Sequence, residues 1–299
     1  MTLPVRLRRE VEATLAKRAG VAMEVTSAAA VGGGCVSPVA RLETTGGGRY
    51  FLKWAAPGHP PGLLSAEADG LRLLADTRTV RVPDVVAHAA SDVAWLLLEW
   101  IEPGAPSPDA WVRLGTDLAA LHGERAETFG AGAANFIGPL PQDNEPAGSW
   151  AGFWRNRRLE PQLRRAVDAG LFTPEDQARS DRLLRALDDL LDAGDLEGAS
   201  TLHGDLWRGN VHLPREGPPV VIDPAAYHGH REVDLAMAEL FGGFGPDFRR
   251  AYEEAWPLEP GYEPERRAVY QLYYLLVHLN LFGAGYLGGC RSALEEAGF

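Results

Sequence analysis

Apolar residues at Leu7, Val11 and Leu15 recur every fourth position through 5–19 and predict an amphipathic helix. From Glu24 the pattern shortens to runs broken by glycine: 24–31 leads into Gly32-Gly33-Gly34, 36–44 into Gly46-Gly47-Gly48, and 49–54 follows. Three such runs joined by glycine turns predict an antiparallel meander. After the breaker PGHPPG (57–62), helical spacing returns over 63–75, and 84–89 and 93–101 read as two further strands. The turn-rich EPGAPSP (102–108) separates an N-terminal part, 1–101, from a C-terminal part, 102–299. The second part reads as helices over 108–122, 149–169, 174–193, 233–241, 246–256 and 264–282, with one β-like interruption at 201–227. The expectation is an α+β, bilobal fold: a small β-rich N-lobe, a larger mainly helical C-lobe and a cleft between them.

Composition narrows what the cleft holds. The 299 residues carry a formal charge of −12 and no basic block long enough to follow a phosphate backbone, which argues against nucleic acid as a partner. No apolar run approaches the ~20 residues of a membrane span, and the charged start MTLPVRLRREVEATLAKRAG lacks the apolar core of a signal peptide. Two cysteines, Cys35 and Cys290, make neither a disulfide framework nor a Cys-based zinc site. A cytoplasmic location is expected. Of 29 basic residues only Lys17 and Lys53 are lysine. Lys17 lies in a polar helical stretch, whereas Lys53 lies inside an apolar strand pattern and calls for a chemical reason.

The interruption LHGDLWRGNVHLPREGPPVVIDPAAY (202–227) holds two apolar runs, 211–213 and 220–222, around the turn-forming PREGPP. A hairpin there brings Asp205 and Asn210 beside one strand and Asp223 to the end of the other. Two carboxylates and an amide in one place suit phosphoryl transfer: Asp205 to orient the attacking hydroxyl, Asn210 and Asp223 as hard oxygen ligands for Mg²⁺ on the phosphates of ATP. The Asp-x4-Asn spacing is that of the kinase catalytic loop, with His203 in its usual place and Gly204 where Arg often stands. In isolation these residues also suit ordinary turns and caps.

The first half of the chain decides between the two readings. Gly32, Gly33 and Gly34 allow a tight turn over phosphates. An ammonium at Lys53 reaches them, and Glu67, on a helix face shared with Leu71 and Leu74, is its expected partner. Glu99 and Ile101, at the end of the apolar strand before the linker, complete the nucleotide side. Gly-rich turn, strand Lys, helix Glu, strand, linker, Asp-x4-Asn and Asp follow one another in kinase order.

The chain also resembles the fructosamine kinase (ketosamine-3-kinase) family, a small-molecule branch of the protein-kinase-like fold. The resembling segments are GGGCVSP (32–38), AEADGLRLL (66–74), NFIGPLPQDN (135–144), SWAGFWRNRRLEPQL (149–163), LHGDLWRGN (202–210), VIDPAAYHGHREVDLAM (221–237), ELFGGF (239–244) and YQLYYLLVHLNLFG (270–283). HGDxxxxN alone is shared with aminoglycoside and choline kinases; the combination of segments is more specific. The resemblance implies ATP- and Mg²⁺-dependent phosphorylation of the 3-hydroxyl of a ketosamine, the sugar adduct that glycation forms on an amine. The unstable product then releases the amine. It also brings Trp207, Tyr227 and Arg231 to the substrate side and makes Asp234 a support of the catalytic loop. At Cys35 it implies a redox role through an intersubunit disulfide. His230 stands where the family usually has Asp, which touches the substrate side. Monomer and homodimer both stay open.

Other residues have plainer readings. The pair His228 and His230 lacks a third ligand and reads as hydrogen-bonded loop histidines rather than a metal site. His278 reads as an interior histidine, and Arg155, Arg157, Arg158, Arg164 and Arg165 as a solvated helix face. Trp207 either stacks on substrate or packs the lobe. An aminoglycoside- or choline-type kinase remains the alternative enzyme. A nucleotide-binding scaffold remains the non-enzyme alternative, although Lys53, Asp205, Asn210 and Asp223 are all present.

Overall fold

The computed structural model describes residues 1–32, 37–105, 107 and 109–299. The expectations for Gly33, Gly34 and Cys35 therefore lie outside the described residues.

The chain opens with α1 (Val5–Ala19), whose Leu7, Val11 and Leu15 are buried and which ends on Gly20 in the left-handed region, φ 71°. Strands β1 (Val25–Ala30), β2 (Val39–Thr44) and β3 (Arg49–Trp54) form the expected meander. Helix α2 (Leu63–Thr77) follows, then β4 (Val85–Ala89) and β5 (Trp95–Glu99). The sheet is antiparallel throughout in the order β1-β2-β3-β5-β4, so the last strand is inserted beside β3. Strand β5 is a continuous apolar run because both its faces are covered. Trp95 and Leu97 pack with Leu7 and Val11 of α1, whereas Leu96 and Leu98 pack with Leu64 and Leu71 of α2. The same alternation along β3 sends Leu52 and Trp54 toward α1 and Lys53 to the opposite face.

Beyond the linker come α3 (Ala110–Gly123), β6 (Arg125–Ala126) and a small hairpin of β7 (Asn135–Ile137) and β8 (Leu140–Gln142). The helix read over 149–169 is α4 (Trp150–Trp154) and α5 (Glu160–Asp168), joined through a π-helical turn at Arg155–Leu159. Helices α6 (Pro174–Leu190) and α7 (Asp192–Glu197) lead to the catalytic segment. There β9 (Ala199–Leu202) pairs with β6 and with β12 (Tyr227–Gly229), and between them lies the hairpin of β10 (Val211–His212) and β11 (Val220–Val221). The lobe closes with α8 (Glu232–Leu240), α9 (Pro246–Ala255), α10 (Arg267–Phe282) and α11 (Leu287–Glu296). Helix α11 was not expected. Its Gly-Gly pair and small residues hide a face on which only Cys290, Ala293 and Leu294 are buried.

One apolar cluster passes beneath the cleft, joining Leu64 and Leu71 of α2 to Leu114, Leu206, Val211, Val221 and Leu235. Sheet lobe and helical lobe thus share a core at the base of the site. Among the described residues no helix is long and apolar enough to cross a membrane.

Candidate active site

Strand β9 leads into His203, Gly204 and Asp205, of which Asp205 lines the cleft. Gly204 has φ +80°, and a side chain there would start 2.2 Å from the Ala225 carbonyl oxygen, so only glycine fits where kinases often carry Arg. The backbone N–H groups of His203 and Gly204 both donate to the Asp234 carboxylate on α8, at 2.7 and 2.8 Å. The Tyr274 hydroxyl donates to the Gly204 carbonyl at 2.7 Å. Asp234 is thus a support of the loop, as its position in the sequence implied. Buried behind it, His122 spans Asp234 (3.3 Å from Nε2) and the Tyr252 hydroxyl (2.8 Å from Nδ1). His203 Nε2–H donates to the Ile222 carbonyl at 3.0 Å, and its Nδ1 accepts the Asp205 N–H at 3.2 Å. Burial lowers the pKa of both imidazoles, which fits neutral rings used as fixed connectors.

The Asn210 side-chain amide donates to the Asp205 carbonyl (2.9 Å) and carboxylate (3.2 Å). Because its NH₂ is committed there, the Asn210 side-chain oxygen remains an acceptor. Asp223 follows β11 with φ +55°, an uncommon conformation for a non-glycine residue. Its Oδ1 lies 2.5 Å from Lys53 Nζ, which also donates to Glu67 at 2.7 Å. Burial alone would lower the pKa of the Lys53 ammonium, but Asp223 and Glu67 outweigh it and raise it. Burial pushes the Glu67 carboxyl up against the pull of Lys53. Asp205 is pushed up to about 7, first by burial and then by the charge of Asp223. Strongly perturbed groups gathered on one cleft are what catalysis requires.

These groups line a cleft of about 660 Å³, together with Gly32, Glu99, Trp100, Ile101 and Trp207. Arg81 (2.8 Å) and the Asp84 N–H (3.3 Å) hold the Glu99 carboxylate. Hard oxygen donors at Asn210 and Asp223 on one wall fit a Mg²⁺ ion.

Three substrate-side expectations are corrected. Tyr227 is buried, stacked on Phe153 at 5.7 Å with the Arg158 guanidinium 4.2 Å over its ring, and is not part of the cleft wall. Arg231 is also fully buried: both ends of its guanidinium bond Glu197 at 2.7 Å, and it donates to the Trp256 and Pro257 carbonyls. Its guanidinium serves packing at the start of α8. His230 is likewise interior, with Nδ1 on the Tyr270 hydroxyl and Nε2 on Glu197, so its replacement of Asp bears on packing and not on substrate. Nor is the arginine group simply solvated: Arg158 is buried on Asn144 and Tyr227. Sequence reasoning missed Asn135, Phe136 and Gly138, which line the cleft from the β7–β8 hairpin. NFIGPLPQDN carried the signal, but its two prolines masked the strands.

The chain matches the family model described as fructosamine kinase over residues 7–297. A Synechocystis protein named probable ketoamine kinase is 38% identical over 286 residues, 94% of either chain. The chloroplastic protein-ribulosamine 3-kinase of Arabidopsis thaliana is 34% identical over 283 residues, 93% of this chain and 84% of that one. A solved structure from Thermobifida fusca, assigned as a fructosamine-3-kinase, superposes with a TM-score of 0.85 at 41% identity, covering 96% of this chain and 98% of the other. More distant phosphotransferases, at 20% identity and below, share the kinase-like fold alone.

Proposed function

The chain belongs to the fructosamine kinase family, and we propose on that premise that it transfers the γ-phosphate of ATP to the 3-hydroxyl of ketosamines, the position for which its ribulosamine 3-kinase relative is named. The observation that carries this reading is the convergence of Lys53, Asp205, Asn210 and Asp223 on one cleft. Residues 1–101 form the nucleotide lobe and 102–299 carry the catalytic and substrate groups.

Asp205 orients the sugar hydroxyl and takes its proton as the new P–O bond forms. Lys53, held by Glu67, places positive charge on the nucleotide phosphates, and Gly32 lines the same cleft. Asn210 and Asp223 would hold Mg²⁺, which when bound would neutralise charge on the transferring phosphoryl group. Trp207, which lines the cleft with Asp205, offers an aromatic ring for the sugar and its cationic amine. The 3-phosphate product eliminates phosphate, and hydrolysis of the resulting unsaturated adduct frees the amine and leaves the sugar as a deoxy-dicarbonyl, so the outcome is deglycation.

Mass spectrometry of ATP, Mg²⁺ and ribulosyllysine or fructosyllysine incubated with the protein tests the reading. The expected result is a phosphorylated acceptor followed by free lysine. Phosphorylation of kanamycin or choline with no ketosamine turnover would overturn it.

A further inference from the structure

Among the described residues two aromatic side chains are exposed, Phe241 and Phe282, and they stand on one patch. Phe241 follows α8 and Phe282 ends α10. The His278 ring lies between them, its centroid 4.9 Å from Phe241 and 5.6 Å from Phe282, and 5.0 Å from Tyr286. His278 Nδ1–H donates to the Tyr274 carbonyl at 2.8 Å, which fixes the ring and leaves Nε2 as the acceptor. Burial lowers its pKa, so at neutral pH the imidazole joins the aromatic surface as an uncharged ring.

The patch runs into the cleft at two places. Trp207, which lines the cleft, meets Phe241 edge-on at 6.5 Å. Leu281 lies 3.4 Å from the point where a side chain at Gly138 would begin, and Gly138 also lines the cleft. A contiguous exposed aromatic patch marks a contact surface, and this one is continuous with the site of reaction.

We propose that this aromatic ledge receives the polypeptide that carries the ketosamine, an inference that rests on the ketosamine reading above. Reach decides what lies on it. A lysine stem spans ~6 Å from Nζ to Cα, so with the sugar at Asp205 and its amine beside Trp207, the lysine Cα lies level with Phe241. Only residues flanking that lysine in a peptide extend over His278 and Phe282. The ring-to-ring steps of 4.9 to 6.5 Å approach the ~7 Å between side chains on one face of an extended chain. The net charge of −12 favours a basic segment, whose Lys and Arg side chains lie well on ring faces.

The test compares free ribulosyllysine with the same residue inside a short basic peptide, for the wild-type protein, for Phe282→Ala and for the double variant Phe241→Ala/Phe282→Ala. Wild type should favour the peptide by about tenfold in kcat/KM. Phe282→Ala, which lies beyond the reach of the free acceptor, should lower that advantage through KM with kcat and the free acceptor unchanged, and the double variant should abolish it. Equal loss on both acceptors, or no loss on the peptide, overturns the ledge. Turnover of the free acceptor without any preference for the peptide overturns the ledge and leaves the proposed function standing. Turnover of neither acceptor by wild type overturns the proposed function itself. Sedimentation supplies a further check: a wild-type dimer made monomeric by the double substitution identifies the patch as a contact between copies and overturns the proposal.

Discussion

Lys53 Nζ and Asp223 Oδ1 lie 2.5 Å apart across the cleft, 170 positions apart in the chain. The ammonium is shared, because Glu67 on α2 accepts from it at 2.7 Å. The group proposed to meet the nucleotide phosphates is thereby held by one carboxylate from each lobe. Glu67 would keep Lys53 in place if Asp223 were engaged by a metal ion, which would give the pair a purpose beyond charge neutralisation.

Lys53→Met should therefore raise KM for ATP and lower kcat by ~10²-fold or more, the scale for losing one preorganised electrostatic group. Glu67→Ala should do both less severely. The double variant should resemble Lys53→Met alone, since both substitutions act on one ammonium. Strictly additive losses in steady-state kinetics would show that Glu67 works independently of Lys53.

Asp205 gives a pH prediction with a defined sign. Its carboxyl is pushed up to about 7, and a base must be ionised, so kcat/KM should fall as pH drops through about 7. A Mg²⁺ ion held by Asp223 in the nucleotide complex would offset the neighbouring negative charge, so the acid limb of kcat should lie lower than that of kcat/KM for ATP. Asp205→Ala should cost ~10²–10⁴ in turnover while nucleotide binding survives. The same shift has a stability sign. The folded carboxyl titrates near 7 and the unfolded one near 3.8, so ionisation opposes folding as pH rises through that interval. Asp205→Asn should thus melt higher than wild type at pH 8, and the gap should close toward pH 4.

Much of this site was legible because its chemistry is local. Lys53 stood out as a lysine in an apolar strand of an arginine-rich chain, and Asp205, Asn210 and Asp223 lie on a short hairpin. The strands and most helices followed from apolar spacing, with Arg49–Trp54 read to the residue. What was not legible is long-range. Nothing at Arg231 announces that Glu197 will meet it in the core, and Tyr227 sits in a motif whose Asp223 lines the cleft. His122 looked like the end of an ordinary helix, and its partners Asp234 and Tyr252 arrive from over 100 positions away. Polar residues that pair in the interior carry the same sequence signal as those that meet substrate.

The metal prediction rests on donor chemistry. Asn210 and Asp223 offer only oxygen, which suits Mg²⁺ or Mn²⁺ and not a thiolate- or imidazole-seeking ion. Chelation should abolish ATP turnover and added Mg²⁺ should restore it. Asp223→Ala should weaken MgATP binding by calorimetry. Full turnover in EDTA would exclude this role for both residues.

Asp234 separates positioning from chemistry. Its two carboxylate oxygens each take one backbone N–H of the catalytic loop, from His203 and Gly204, and the loop then presents Asp205. It does not line the cleft, so its loss should leave ATP affinity nearly intact. In Asp234→Asn one oxygen becomes an NH₂ that faces a backbone N–H, so one of the two bonds is replaced by a donor–donor contact. That misplaces Asp205 by a fraction of an ångström, and reactions that depend on near-attack geometry respond steeply to such shifts. The expected result is a kcat lowered by ~10²-fold with KM for ATP within about threefold of wild type. His122→Phe, which removes the 3.3 Å contact to Asp234 and the 2.8 Å contact to the Tyr252 hydroxyl but keeps both backbone bonds, should cost less. A matching rise in KM for ATP in Asp234→Asn would mean that the nucleotide wall had moved as well, and that Asp234 supports the cleft as a whole rather than the loop that carries Asp205.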